Sequence, residues 1–269
     1  MRACPADTTD VASHHRLFHQ LVARCALMTA APAGVALWTF GVVPAVGVGL
    51  AVAGSELLRV RSAVRAGMPD DLSFVPSRPI DHSWLDAEGF RARLIDLERL
   101  GFVPLADFSV TYPKAPGGLA RLLVHAKYCV YAEVNQVRDK GRVTPVATTL
   151  TSILDNGWSV QTTSQEPFAV AIAFMQAKRA VWRSLPEASA DELIQDHVQM
   201  RSEVCRDVGV GIGGDGTLER YFELQRADHR ARRETLLHTN VVSGIVRGVV
   251  AERRPRREWL GEYRPSHVA

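Results

Sequence analysis

The sequence predicts an α+β fold carried on an N-terminal transmembrane helix, and three observations predict it. No charged residue interrupts the run from Cys25 to Ser55. Between residues 107 and 163 lie five short segments rich in Val, Leu, Thr and Tyr, each bounded by turn residues. Capped, helix-periodic segments stand before and after them.

The Cys25–Ser55 run sets the location. Ionised groups cost several kcal/mol each in hydrocarbon, and about 20 residues of helix cross a bilayer core. The preferred reading is one kinked span of roughly 25 residues. A helical hairpin broken near Trp38 to Pro44 and a buried core helix are the alternatives. Pro32 lies near the start of the run, whereas Pro44 lies inside it and predicts a kink. Gly34, Gly41, Gly47, Gly49 and Gly54 allow close approach of another helix, so Gly34, Gly41 and Gly47 are candidate interaction residues. Arg16 and Arg24 flank the run on one side, Arg59, Arg61 and Arg65 on the other. Positive residues stay on the cytoplasmic side, which places the C-terminal part there by a margin of about one charge. The four cysteines form no CxxC pair, as expected of reduced thiols.

The parts are then residues 1–24 as a polar arm, 25–58 as the anchor, 59–80 as a tether, 81–250 as one soluble domain and 251–269 as a basic tail. Pro69, Pro76 and Pro79 favour an extended tether. Asp86 reads as an N-cap and Gly101 as the terminating glycine, so a helix is expected over 87–100. The five strands that follow predict an antiparallel meander, with Asp155-Asn156-Gly157 the clearest hairpin turn. Residues 167–185 fit either a helix or two buried strands. Ser189 with Glu192 forms a capping box that opens a helix to about Arg206. Thr217 to His238 reads as a charged helix, and 241–250 as a last strand or a helix end.

The motifs point away from chemistry. Gly209 to Gly216 has the glycine spacing of a phosphate loop, but Thr217 stands where the essential lysine belongs. His15, His19 and Cys25 have metal-compatible spacing, yet a polar helix explains them as well. His125 with Cys129, His197 with Cys205, Glu133, and Asp70 with Asp71 are the reactive side chains, and none is accompanied by the partners its chemistry needs. No cofactor or metal is therefore expected.

Two basic groups remain as candidate interaction residues. Arg226, Arg230 and Arg233 form a stripe at helical spacing, and Arg253, Arg254, Arg256 and Arg257 make the densest basic run. The net charge of +3 and the lack of interleaved aromatics disfavour nucleic acid. The sequence thus suggests a non-enzymatic accessory or scaffold subunit of the cell membrane. Its partners would be the bilayer and other membrane-protein subunits. A membrane-tethered ligand-sensing domain, or an enzyme without a linear motif, are the alternatives.

Overall fold

A computed structural model describes residues 17–66, 68, 72–111, 117–139, 142–166, 169–174, 176–253 and 257–266. The fold is α+β. Two compact units form: residues 1–68, 168–175 and 236–255 make the first, and the remainder the second.

The first unit begins with two helices rather than one kinked span. Helix α1 is Leu17–Phe40 and helix α2 is Val42–Ala66. By length and composition, each is apolar enough to cross a bilayer. The break falls at Gly41, whose φ of +87° favours glycine. Its N–H closes α1 on Leu37 O (3.2 Å) and its carbonyl opens α2 by accepting from Ala45 N (3.3 Å). Pro44 therefore sits in the first turn of α2, where a missing N–H costs nothing, and produces no kink. Pro32 lies inside α1, not near its start. The helices pack antiparallel through small residues: a Cβ built on Gly49 lies 3.7 Å from Ala33 Cβ and 3.8 Å from Thr29 Cγ2.

The second unit holds a mixed, mostly antiparallel nine-stranded sheet, ordered β1-β2-β3-β4-β6-β7-β8-β9 with β5 beside β4. The edge strand β1 (Ser73–Pro76) forms within the residues expected to be a tether. Helix α3 (Ala87–Arg99) starts at Asp86, which accepts from Gly89 N at 3.0 Å, and Gly101 ends it at φ +91°. Strands β2 (Val103–Thr111), β3 (Gly117–His125), β4 (Val130–Asp139), β6 (Ala147–Ile153) and β7 (Ser159–Thr163) pair antiparallel in that order. The two-residue β5 is Arg142–Val143. Asn156 (φ 57°) and Gly157 (φ 74°) make the positive-φ turn between β6 and β7 that Asn-Gly favours.

Residues 167–185 resolve into one of each element. Helix α4 (Ala169–Phe174) joins the first unit, and β8 (Ala180–Ser184) pairs parallel with β7. The last strand, β9 (Glu258–Trp259), closes the sheet.

Alternation along the strands fills both faces. Leu119, Leu123, Val130, Ala132, Val134 and Leu150 pack with Phe90, Leu94 and Leu97 of α3 and with Leu193 of helix α5 (Ala190–Val208). On the opposite face Phe108, Leu122, Val124, Tyr131 and Ile153 meet Tyr221 and Phe222 of helix α6 (Leu218–His238). Residues 241–253 form helix α7 (Val241–Arg253), not a strand. Within the basic tail, Tyr263 and Ser266 are held by α5: Asp207 accepts from Tyr263 Oη (2.9 Å), Ser266 N (3.2 Å) and Ser266 Oγ (3.0 Å). The Ser266 N–H, then the Tyr263 hydroxyl, hold the Asp207 carboxyl well below the usual carboxylate range.

Ser189 and Glu192 exchange both capping-box bonds at the start of α5. Ser189→Ala is expected to cost about 1 kcal/mol, and to lower the melting temperature of the detergent-solubilised chain by roughly 2–4 °C in circular dichroism.

Candidate functional site

The first unit concentrates the unusual features. Helix α7 lies against the open end of the hairpin through glycines. A Cβ on Gly244 would collide with the Phe174 ring, and one on Gly248 would stand 2.6 Å from the Phe18 ring. This Gly-x-x-x-Gly face seats both rings, and Met68, Ala173 and Leu236 complete the cluster. Glu252 follows on the same helix with its side chain only 1% exposed. Its carboxylate accepts from Phe18 N (2.5 Å), His19 N (3.0 Å) and His19 Nδ1 (2.6 Å), so it caps the start of α1. Arg253 Nε donates to His19 Nε2 at 3.0 Å, which leaves Nδ1 as the imidazole's donor to Glu252.

The predicted interaction residues divide among these parts. Gly34 and Gly47 have nothing within 4 Å of a would-be Cβ and face outward from the hairpin, while Gly49 is the one in the helix seam. Gly41 is the break itself. In the second unit Arg226 lies over Phe74, 5.6 Å from the ring centroid; Arg230 is exposed and Arg233 half-buried. Arg253 serves the His19–Glu252 cap. Arg257 is exposed, and its carbonyl accepts from Ser184 N at 2.6 Å. Arg254 and Arg256 lie outside the described residues, as do His15, Asp70 and Asp71. Among the described residues, no group of three metal-ligating side chains comes together.

The second unit brings together one polar set that spacing alone conceals. His197 Nε2 lies 2.9 Å from Ser152 Oγ and Nδ1 lies 3.1 Å from Thr162 Oγ1. Arg201, one turn on, donates to Tyr128 O and to Ser152 Oγ. A serine beside a histidine suggests nucleophilic chemistry, but the arrangement lacks an orienting acid. The neighbouring Asp196 is held by Arg183 at 2.6 Å. Ser152 and His197 are both 0% exposed, so no substrate reaches them. Burial first, then the Arg201 charge, depresses the His197 imidazole to about 3. The cluster is a buried polar pin between α5 and the sheet, a neutral imidazole beside the Arg201 charge.

Glu133 faces the helix, with Oε2 2.5 Å from Tyr221 Oη and Oε1 accepting from Asn135. Burial, then that carboxylate, raises the Tyr221 hydroxyl well above its ordinary value. The glycine loop approaches the end of β6: Gly211 N donates to Asp155 Oδ2 (3.1 Å), and a Cβ on Gly213 would stand 2.9 Å from Asp155 Oδ1. A carboxylate occupies the position a phosphate would need. Close packing against the end of β6 explains Gly211, Gly213 and Gly214, while Gly209 (φ 72°) and Gly216 (φ 76°) supply positive-φ backbone.

Sequence reasoning missed Glu252 and the Ser152–His197–Arg201 set, whose partners are remote in the chain. The Gly244-x-x-x-Gly248 spacing was a readable signal for α7. Compared with family models, with curated proteins and with solved structures, the chain matches none.

Proposed function

We propose that the chain is a membrane-anchored, non-enzymatic accessory or scaffold subunit that docks onto a membrane-protein complex. The observation that carries this reading is the outer surface of the hairpin. Leu27 is 70% exposed, Leu50 70%, Val43 83% and Trp38 91%, a contiguous apolar surface that water does not stabilise. Lipid is the solvent that suits it. Gly34 on α1 and Gly47 on α2 face outward at similar distances from Gly41, offering a partner helix close backbone approach. Both hairpin ends leave on one side, so Arg16, Arg24, Arg59, Arg61 and Arg65 act together under the positive-inside rule and favour the cytoplasm for the second unit. The sealed His197 cluster supports a structural rather than a catalytic use of the sheet.

Native membranes extracted in a gentle detergent test this. The chain is expected to purify in a stoichiometric complex with other membrane subunits. Gly34→Leu combined with Gly47→Leu should release it. Recovery of the wild-type chain as a monomer, or a complex indifferent to both substitutions, would sink the docking reading.

A further inference from the structure

We infer that the hairpin is monotopic: both arms enter the bilayer from one side, and the turn at Gly41 ends in hydrocarbon without reaching the far aqueous face. This rests on the membrane reading above and adds a depth to it.

The first argument is length between charges. Phe40 lies 16 residues beyond Arg24, and Val42 lies 14 residues before Glu56. At 1.5 Å per residue the charge-free arms reach about 24 and 21 Å, against a hydrocarbon core of about 30 Å. Glu56 is paired with Arg59 at 2.7 Å. With Arg24 and this pair at the near headgroups, the turn stops roughly 6–9 Å short of the far ones.

The second argument is the chemistry of the turn. Leu37 to Ala45 carries no charged or amide side chain. Trp38, Phe40, Val42 and Val43 are all exposed, at 91%, 75%, 67% and 83%. The Thr39 hydroxyl donates to Val35 O at 2.8 Å and so is satisfied within its own helix. A turn bathed in far-side water gains nothing from such a surface.

The third is the backbone. Unpaired peptide groups are what exclude ordinary loops from hydrocarbon. Here the break is one residue long. Gly41 uses both its N–H and its carbonyl, and Pro44 has no N–H to leave unpaired in the first turn of α2. The turn exposes fewer free backbone groups than a longer loop would.

Thiol accessibility in the full chain tests the depth. Phe40→Cys and, as a near-side reporter, Arg61→Cys are each placed in a chain whose four native cysteines are serine. A membrane-impermeant maleimide is applied to right-side-out and inverted vesicles. The expected result is labelling of Arg61→Cys in one orientation, and of Phe40→Cys in neither until detergent is added. Labelling of Phe40→Cys in the orientation opposite to Arg61→Cys would mean two full spans, overturning the inference while the membrane reading stands. A chain washed from the membranes by alkaline carbonate, with Phe40→Cys labelled in the supernatant, would instead remove the membrane reading. Should the cysteine-free background fail to fold, Trp38 emission replaces it. Lipids brominated near their chain ends should quench the wild-type chain more than Trp38→Phe, and equal quenching would overturn the inference.

Discussion

Gly248→Val is expected to detach α7 from the hairpin. The Cβ alone would stand 2.6–2.7 Å from three atoms of the Phe18 ring, and that residue is 2% exposed. Overpacking of this kind costs about 1–3 kcal/mol. The displacement also moves Glu252 away from Phe18 N and His19 N, whose part-buried donors then lose their acceptor at about 1 kcal/mol each. Limited proteolysis of the detergent-solubilised chain reads the outcome as cleavage between α6 and α7 that the wild type resists. Phe18→Ala added to Gly248→Val makes room for the valine and should restore much of the protection. Equal cleavage in the single and double variants would show that the ring contact is not what seats the helix.

The second large effect concerns acid. His197 is neutral and buried in the fold at about 3, against an ordinary value near 6.5 in the unfolded chain. The unfolded state therefore binds the extra proton first as pH falls. The stabilisation is complete above about pH 6.5 and is lost progressively towards pH 3, with a slope approaching about 1.4 kcal/mol per pH unit. His197→Gln removes that proton and should flatten this part of the profile. His197→Ala strands the Ser152 and Thr162 hydroxyls beside a cavity, at about 3–5 kcal/mol. Denaturant midpoints followed by tryptophan emission at about pH 7 and about pH 4.5 decide the matter. If His197→Gln keeps the wild-type slope, the titrating group lies elsewhere.

Local signals in the sequence located the helix starts well, because a cap acts over three residues: Asp86 on Gly89 and Ser189 on Glu192 both behave as written in the chain. The break in the apolar run falls inside the Trp38–Pro44 interval of the hairpin alternative, while the kink expected at Pro44 does not form, for a physical reason. Attention fell on the prolines, but a proline in a first turn is harmless, and the positive φ was supplied by Gly41. The parallel β7–β8 pair was illegible because no tight turn joins the two strands: α4 lies between them in the chain, and no local signal sets their register. The Glu252 cap and the His197 pin each join residues far apart in sequence, and no spacing rule reaches that far.

The cap on α1 also imposes an order of manufacture. His19 and the glutamate that secures it are separated by 233 positions. At about 5–20 residues per second, a ribosome delivers the second roughly 10–50 s after the first. The leading turn of the hairpin accordingly stays unsecured while the chain is being made, and the closing helix arrives only after every strand but β9. A truncated or stalled product would carry the hairpin but no clasp, so the finished contact distinguishes complete molecules from partial ones.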